Sequence, residues 1–345
     1  MGTAIALEQR EQAEAAQQLI GIVSGFWLSR AVQVAVTLGI PDLIAARPKT
    51  AAELAAETST DTGSLYRLLR ALASFAVLRE EDGHRFAPTA LCGLLRKQIP
   101  GSLRSVAQME LGLMHYQAWG SLIDSVRTGD PAFNQVFGMG PWEYLEGNPE
   151  MAAVFNDAMT NLTEAALSAI ARVYDFTPYR KIVDIGGGRG RMLAGILAAN
   201  AEARGVLFDR APVVEDAHRA LAGRPEAARI ELAPGDFFDS VPEGGDLYTL
   251  KMILHDWADP EAEQILANVR RAMAPNARVL ILEHVLPEAN TPGFAALMDL
   301  NMLVMTGGRE RRAAEFRALL SKAGLRLTEV YPTGSLVSIV EAVRA

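Results

Sequence analysis

The sequence predicts an α/β protein in which a mainly helical domain precedes a doubly wound, mostly parallel seven-stranded sheet with an antiparallel edge hairpin. The chain has 345 residues, a length that suits two domains. From Lys181 onwards, short aliphatic runs alternate with helical segments. Before that point, apolar residues recur mostly at the three- and four-residue spacing of helices. We predict three parts: a helical and winged-helix domain over 1–110, a helical connector over 111–174 and the sheet domain over 175–345.

Composition and charge exclude several classes of protein. Half of the residues are hydrophobic and 21% are charged, so the chain can bury a large core. The 41 acidic residues outnumber the 33 basic ones and give a net charge of −8, which argues against a protein that mainly holds nucleic acid or an anionic membrane. Cys92 is the single cysteine, so an intramolecular disulfide and a cysteine-based zinc site are excluded. We expect its side chain to be buried.

The first predicted element is a long helix over residues 7–39. Its apolar residues recur at helical spacing, namely Leu19, Ile20, Val23, Phe26, Trp27, Ala31, Val34 and Leu38. This stripe could pack against another subunit or against its own domain. Polar residues at positions 8–11 interrupt any signal peptide, and no run of about 18 uninterrupted apolar residues follows. We therefore expect no membrane span and a cytoplasmic protein.

The next elements predict a winged helix. A short helix over 51–57 precedes a stronger one that places Leu65, Leu68, Leu69, Leu72 and Ala73 on one face. Two short extended pieces over 77–79 and 84–86 follow, joined by the hairpin signal Asp82-Gly83.

Winged helices often bind DNA, but the charges of this one argue against that role. Arg67 and Arg70 are the only basic residues of the second helix, and residues 80–82 of the wing are all acidic. Basic and acidic residues cancel over 1–110, whereas phosphate binding needs clustered Lys and Arg. A structural or dimerising winged helix is favoured, and we expect no nucleic-acid partner.

Residues 102–174 are predicted to be helical, with breaks at Pro131 and over 138–141. Aromatic and methionine side chains are interspersed through this segment. Most of them are expected in the core, although a subset could line a pocket for a flat apolar ligand.

The sheet domain is predicted from seven extended runs: 182–185, 205–208, 230–232, 247–250, 279–283, 325–331 and 336–341. Pro332-Thr333-Gly334 separates the last two runs, which we expect to form the antiparallel hairpin at the edge.

A glycine-rich loop follows the first of these strands and is the most informative segment. Residues 183–190 read Val-Asp-Ile-Gly-Gly-Gly-Arg-Gly, so Gly186 and Gly188 let a ligand approach the backbone closely. The dinucleotide pattern G-x-G-x-x-G fails because its last position is Arg191. An acidic residue, Asp184, ends the strand instead.

Acidic residues at three strand ends indicate which cofactor this loop binds. Asp184 disfavours a pyrophosphate and favours a cofactor with an ammonium and a sulfonium. Asp209 ends the second strand, where a carboxylate accepts hydrogen bonds from ribose hydroxyls. Asp236 follows the third strand and could bind an adenine amino group while Phe237 packs on the ring. The pattern predicts S-adenosylmethionine, with no metal, and we add Arg210, beside Asp209, to the expected cofactor residues.

Together with two further segments, these motifs resemble the S-adenosylmethionine-dependent O-methyltransferases of the caffeic-acid type, and most closely their bacterial secondary-metabolite branch. The two segments are Leu-Lys-Met-Ile-Leu-His-Asp-Trp at 250–257 and Gly-Gly-Arg-Glu-Arg at 307–311. The resemblance covers essentially the whole chain. It implies a Rossmann-like catalytic domain, a connector that contributes to the substrate pocket, and a homodimer formed through the winged-helix domain.

The catalytic residues are expected beyond the fourth strand. His255 lies just past its carboxyl end, where doubly wound sheets bind ligands. A histidine can remove a phenolic proton near neutral pH, after which the phenolate attacks the sulfonium methyl in line. The resemblance implies that Glu283 and Glu310 flank this histidine. It also implies that Lys251 contacts the cofactor and that the Thr163 hydroxyl lies near the cofactor carboxylate.

The resemblance also implies a set of substrate-binding residues: Phe155, Met159, Asp256, Trp257, Asn301 and Met305. Aromatic and thioether side chains suit a planar ring. For Asp256, capping the next turn remains an alternative to contact with a substrate hydroxyl.

The sequence therefore predicts an O-methyltransferase that acts on an aromatic hydroxyl, phenolic or quinone-type, of a small secondary metabolite. Two alternatives stay open. A family member can bind the cofactor yet perform hydroxylation or pericyclic chemistry, and a winged-helix protein can be a ligand-sensing repressor.

Overall fold

The computed structural model describes residues 2–345, with the side chains of residues 10–345. The chain divides into two compact units between Leu113 and Met114. The described residues form sixteen α-helices and ten β-strands. The separate connector over 111–174 stays a prediction, and its helices from Met114 onwards belong to the second unit.

The first unit contains the predicted winged helix. Its elements are α1 (Gly2–Thr37), α2 (Ile40–Leu43), β1 (Lys49–Thr50), α3 (Ala51–Thr58), α4 (Thr62–Ser74), β2 (Leu78–Glu81), β3 (Arg85–Pro88), α5 (Ala90–Leu94) and α6 (Arg104–Glu110). Side chains start the two central helices: the Thr50 hydroxyl accepts from the Glu53 N–H at α3, and Asp61 accepts from the Ser64 N–H at α4. Cys92 is buried in the core of this unit, as expected.

The wing differs from its prediction in the bounds of its two strands and in the presence of a third strand. The two strands begin one residue later than predicted and extend further, and their turn spans Asp82, Gly83 and His84. Gly83 and His84 both have positive φ, which makes the connection a three-residue loop. The two-residue strand β1, which was not predicted, pairs antiparallel with β3 and completes a three-stranded sheet.

Helix α1 exposes a large apolar surface. Its exposed residues include Leu19, Ile20, Ile22, Val23, Phe26 and Trp27, and Trp27 is 65% exposed. The segment Arg10–Thr37 is long and apolar enough to cross a membrane by length and composition alone, with 11% of its most apolar window buried. Counting uninterrupted apolar runs missed this segment, because polar residues such as Arg30 divide a stretch that is apolar on average.

The second unit begins with short helices and continues into the sheet domain. Its helices are α7 (Leu113–Gly120, which starts at the division), α8 (Leu122–Thr128), α9 (Ala132–Phe137), α10 (Pro141–Gly147), α11 (Pro149–Val173), α12 (Arg191–Ala199), α13 (Ala211–Leu221), α14 (Asp259–Ala272), α15 (Phe294–Met305) and α16 (Ala313–Lys322). Its strands are β4 (Lys181–Ile185), β5 (Arg204–Asp209), β6 (Ile230–Pro234), β7 (Leu247–Lys251), β8 (Arg278–Glu283), β9 (Leu325–Pro332) and β10 (Ser338–Arg344).

The predicted seven-stranded sheet is confirmed, in the order β6-β5-β4-β7-β8-β10-β9. The strands from β4 to β8 are parallel, and β10 pairs antiparallel with both β8 and β9. The last strand starts at Ser338 rather than Leu336, because a loop held by the Thr333 and Ser335 hydroxyls occupies 333–337. Parallel strands bring their carboxyl ends to one edge, so Ile185, Asp209, Lys251 and Glu283 end together.

Candidate functional site

The site is built at the carboxyl edge of the sheet, around a turn that follows β7. Met252 leaves the strand in the left-handed conformation, with φ of 54°, and its N–H donates to the Leu282 carbonyl. A 3₁₀ turn over Leu254–Asp256 follows. Left-handed backbone at a residue with a side chain is strained, and such strain persists only where its surroundings enforce it. Here the turn brings His255 back over the end of the sheet.

Glu283 holds the backbone of this turn. Its Oε1 accepts hydrogen bonds from the N–H groups of Ile253 (3.2 Å), Leu254 (2.6 Å) and His255 (3.1 Å). The side chain is fully buried, and burial raises the pKa of its carboxyl. Glu283 thus lies beside His255 as predicted, but its hydrogen bond goes to the backbone N–H and not to the imidazole.

Glu310 is the acid that contacts the ring. Its Oε1 lies 2.8 Å from Nδ1 of His255, and both side chains are buried. Nε2 of the same ring lies 3.8 Å from Oδ1 of Asp256. When Glu310 is ionised it can only accept, so the ring proton sits on Nδ1 and Nε2 presents a lone pair. The arrangement can therefore take up a proton at Nε2.

Burial perturbs the carboxyl groups around the ring. Loss of solvent raises the pKa of Glu310 to about 8 and that of Asp256 to about 7. The largest cause in each case is desolvation, which disfavours the charged form. Such perturbed groups in one place are typical of functional sites.

The loop over residues 306–312 packs against the turn that carries His255 and fixes its backbone. A Cβ on Gly308 would lie 2.0 Å from the His255 carbonyl oxygen, so only glycine fits there. The next N–H, of Arg309, donates to that same oxygen at 2.8 Å. The fully buried Arg311 guanidinium then donates to the carbonyls of Leu254 and Trp257 and to the Asp259 carboxylate, each at about 3 Å.

The glycine loop forms an open cradle at the end of β4. Gly186, Gly188 and Gly190 all have positive φ. A Cβ on Gly186 would lie 2.3 Å from Cδ1 of Ile253, whereas a Cβ on Gly188 would meet nothing within 4 Å. Oδ2 of Asp209 accepts from the Gly188 N–H at 2.9 Å, which ties the end of β5 to this loop. The loop thus leaves free space against the Gly188 backbone and beside a carboxylate.

Asp184 lies beneath the loop rather than at its rim. Its Oδ1 accepts from the Thr249 hydroxyl at 2.7 Å, and its Oδ2 is buried without a hydrogen bond among the described residues. Burial raises the pKa of Asp184 to about 6 and lowers that of Lys251, which interacts with it, to about 8. The two groups place a negative and a positive charge below the carboxyl ends of β4 and β7.

The remaining expected cofactor residues are more dispersed. Asp236 is exposed, and its Oδ1 accepts from the Phe238 N–H at 2.8 Å. Arg210 is exposed and forms an ion pair with Glu146. The Thr163 hydroxyl donates to the Met159 carbonyl one turn earlier in α11, so its proton is not free for a ligand.

Trp257 is placed with the expected cofactor residues and not with the expected substrate residues. Its ring packs edge-on against Phe238 at 4.7 Å and Phe237 at 6.0 Å between centroids. Phe155, by contrast, packs against Trp142 at 5.8 Å.

Two other expected substrate residues lie in packed surroundings. Asn301 is buried, and its Oδ1 accepts from Nε1 of Trp119 at 2.8 Å. Met305 is 4% exposed and belongs to a core cluster with Met114, Ala118, Ala132 and Phe133. Met159 lies half-buried on α11, one turn after Phe155.

Sequence reasoning missed four residues that shape this site: Gly308, Arg311, Trp119 and His284. Gly308 and Arg311 stood in a quoted motif but received no role, although a glycine beside buried charges is a signal of close packing. Trp119 pairs with a residue 182 positions away, which no local pattern reveals. His284 directly follows Glu283, and two adjacent ionisable residues at a buried strand end were the available signal.

Among the described side chains, no three His, Cys, Asp or Glu residues are grouped as metal ligands would be.

Two family models match the chain. An O-methyltransferase domain matches residues 119–326, and an O-methyltransferase dimerisation domain matches residues 20–98. The first match contains every predicted catalytic residue.

Curated relatives match over nearly the whole length. The phenazine O-methyltransferase PhzM of Lysobacter antibioticus is 42% identical over 94% of this chain and 95% of its own. The mitomycin biosynthesis 6-O-methyltransferase of Streptomyces lavendulae is 39% identical over 97% and 96%. The phenazine-1-carboxylate N-methyltransferase of Pseudomonas aeruginosa is 31% identical over 96% and 98%, so the similarity includes an enzyme that methylates nitrogen.

Solved structures agree in fold. The crystal structure of LaPhzM superposes with a TM-score of 0.92 at 41% identity, over 96% of this chain and 99% of that one. NcsB1, an O-methyltransferase from neocarzinostatin biosynthesis, superposes with a TM-score of 0.80 at 33% identity, over 92% and 96%. That structure is a complex with S-adenosylmethionine and 2-hydroxy-5-methyl naphthoic acid.

The role of Arg311 in holding the turn can be tested without any ligand. Arg311→Lys removes the planar fork that reaches two carbonyls and a carboxylate, so the free energy of unfolding of this unit should fall by about 2–4 kcal/mol. Differential scanning calorimetry measures the change. Arg317→Lys, an exposed position on α16, is the matched control and should stay within about 0.5 kcal/mol. Equal melting of both variants would contradict the role.

Proposed function

Since the chain belongs to the family of S-adenosylmethionine-dependent O-methyltransferases, we propose that it methylates an aromatic hydroxyl, phenolic or quinone-type, of a small secondary metabolite. The observation that carries the proposal is the buried bond between Nδ1 of His255 and Glu310, which leaves Nε2 free to act as a base. The named activities of the relatives and the aromatic ligand of NcsB1 support an aromatic acceptor.

We propose that the glycine cradle binds S-adenosylmethionine. When bound, this cofactor supplies a methyl group from its sulfonium. The fit rests on the open space at Gly188, on the Asp209 carboxylate beside it and on the negative charge of Asp184 beneath the loop. Each Asp209 oxygen accepts one backbone N–H and retains a lone pair for a ribose hydroxyl. Asp236, Phe237 and Trp257 supply a carboxylate and ring faces for an adenine.

The chain's own contribution to the reaction is to remove a proton and to hold the reacting oxygen. Nε2 of His255 takes the hydroxyl proton, and the carboxylate of Glu310 stabilises the imidazolium that forms. Glu283, Arg311 and Gly308 fix the backbone that carries the ring. Positioning of this kind contributes about 7–11 kcal/mol to a displacement between two bound groups, and a general base about 10²–10⁴-fold.

The acceptor is expected between α11 and the turn that carries His255. Phe155 and Met159 are half-buried and offer apolar walls for a planar ring, and Asp256 offers a carboxyl group beside Nε2. Asn301 and Met305 act through packing, because Trp119 and the core cluster already occupy them.

Non-methylating chemistry and nitrogen methylation are the competing activities within the family. The intact pairing of His255 with Glu310 favours proton removal from a hydroxyl, a step that nitrogen methylation of a neutral amine does not need. DNA binding stays disfavoured, because the family model at residues 20–98 is a dimerisation domain and the charges there do not cluster.

We propose a cytoplasmic homodimer formed through the first unit. The exposed apolar residues of α1 fall largely within the matched dimerisation domain, and a second copy that covers them would remove a large apolar surface from water. The same burial accounts for the high mean hydropathy of the Arg10–Thr37 segment without a membrane.

The cofactor site is tested by a substitution whose added methyl group meets no other protein atom within 4 Å. Gly188→Ala places a methyl group in the open space where the proposed cofactor would lie, so affinity for S-adenosylhomocysteine should fall at least tenfold in a calorimetric titration. Gly223→Ala is the control for backbone strain, because Gly223 also has positive φ and open surroundings but lies away from the loop. Asp209→Ala should weaken binding by about 1.5–3 kcal/mol. Unchanged affinity in Gly188→Ala would place the cofactor elsewhere.

The proposed base, His255, is tested by replacing it and by replacing its partner, Glu310. His255→Ala should abolish turnover and keep cofactor affinity, while Glu310→Gln should lower kcat by about 10²–10⁴-fold. The wild-type kcat should rise with pH up to about pH 8, as Glu310 loses its proton, and this rise should be absent from Glu310→Gln; kcat measured against pH checks it.

The melting temperature of Glu310→Gln distinguishes a catalytic role of Glu310 from a role in stabilising the fold. Because burial raises the pKa of Glu310 above 4.5 to about 8, its contribution to stability is present below pH 4.5 and is lost as the pH rises to about 8. Glu310→Gln should therefore melt no lower than wild type at pH 8. A lower melting temperature together with lost activity would make Glu310 structural.

The dimer is tested by charge on the exposed face of α1. Ile20→Glu combined with Trp27→Glu should convert the dimer to a monomer in light scattering, whereas Val126→Glu, equally exposed in the second unit, should not. A monomeric wild type would contradict the dimer, and co-sedimentation of the wild type with lipid vesicles would reassign α1 to a membrane.

A further inference from the structure

A second buried histidine lies beside the proposed base. His284 follows β8 directly, is 3% exposed, and has its ring centroid 6.5 Å from that of His255. Phe294 packs edge-on against its other side at 5.6 Å. The reaction proposed above gives this residue no role.

The hydrogen bonds of His284 fix its tautomer. Its Nδ1 lies 2.6 Å from the Leu336 carbonyl oxygen, which can only accept, so Nδ1 carries the proton. In the neutral ring, Nε2 is then a bare acceptor. This Nε2 is fully buried and has no hydrogen-bond partner among the described residues. Buried polar atoms of native proteins nearly always have partners, so an orphaned acceptor requires an explanation.

The sheet order gives the neighbours of His284. Strand β8 lies between β7 and β10. Leu336 precedes β10, so the bond to its carbonyl holds Nδ1 on the β10 side. Lys251 ends β7 and His255 follows it, and both lie near enough to act on the charge of His284.

The surroundings keep His284 uncharged. Burial is the main cause that lowers its pKa to about 4, and the positive charges of His255, when it holds a second proton, and of Lys251 add to it. A neutral ring cannot serve as a second cation for the carboxyl groups of the site. It keeps one unpaired acceptor in a ring that lies 6.5 Å from the ring of the proposed base.

We infer that His284 is a specificity-determining residue whose Nε2 accepts a hydrogen bond from a hydroxyl or amino group adjacent to the hydroxyl that His255 deprotonates. The inference rests on the proposed function. It narrows the methyl acceptor to aromatic compounds with a second hydrogen-bond donor next to the reacting oxygen. The reason is that Nε2 of His255 and Nε2 of His284 can each accept from one of two neighbouring donors. A substrate ring with only one hydroxyl leaves Nε2 of His284 without a hydrogen bond. A buried unpaired acceptor costs free energy, so such a substrate should bind less tightly than one with two adjacent donors.

The experiment compares two probes on enzyme saturated with S-adenosylhomocysteine. Calorimetric titration measures the affinity for 2,3-dihydroxynaphthalene and for 2-naphthol, which differ by one adjacent hydroxyl. Wild type should bind the diol at least about tenfold more tightly. His284→Asn keeps a donor for the Leu336 carbonyl but cannot reach the position of Nε2, so the ratio should fall to about one. His284→Gln places an amide oxygen near that position and should restore part of the ratio.

Phe294→Leu is the matched control, since it touches the same ring without contributing a polar group, and its ratio should equal that of wild type. An unchanged ratio in His284→Asn, or a wild type that binds the diol no better than 2-naphthol or not at all, would overturn the inference. Failure of the proposed function looks different: wild type would not bind S-adenosylhomocysteine, or would bind it and the diol without forming a methylated product from S-adenosylmethionine.

Discussion

The contact between the 306–312 loop and the turn after β7 is the constraint on which the site depends. Gly308 brings the two backbones together, and Arg311 then satisfies two carbonyls that the turn would otherwise leave buried and unpaired. The adjacent Glu310 reaches the His255 ring from the same loop. One short segment therefore fixes both the backbone and the ring of the proposed base, and a shift of that segment would move both at once.

Burying so many ionisable groups at one sheet edge is unfavourable unless they compensate one another. The pKa values of Asp256, Glu283 and Glu310 are raised and that of Lys251 is lowered, which is the signature of desolvation incompletely offset by neighbours. A cationic cofactor with an ammonium and a sulfonium would add the missing positive charge. The electrostatics of these side chains thus favour the same cofactor class that the acidic strand ends predict, by an independent route.

Most of the sheet was predictable because its strands are short aliphatic runs that end in polar residues, and the loop after β4 stands out by its glycines alone. Long-range contacts were not predictable in the same way. The sequence places Glu283 and Glu310 near His255 only through a family resemblance, and it cannot say that the first holds the backbone N–H and the second the ring. Trp257 was expected at the substrate through the family resemblance alone, and the sequence could not reveal that its ring packs against Phe237 and Phe238. The strand β1 was missed because two residues carry no periodicity.

The two buried histidines, His255 and His284, lie at the same edge of the sheet but have different chemical roles in the proposals made above. Each ring has its Nδ1 occupied and its Nε2 left for a ligand, but the partners differ: a carboxylate for His255 and a neutral carbonyl for His284. A carboxylate stabilises an imidazolium, so His255 can accept a proton outright. A neutral carbonyl does not, and burial and the charge of Lys251 oppose protonation, so His284 can accept only a hydrogen bond. The partner of Nδ1, and not the histidine itself, therefore decides which of the two rings can serve as the base.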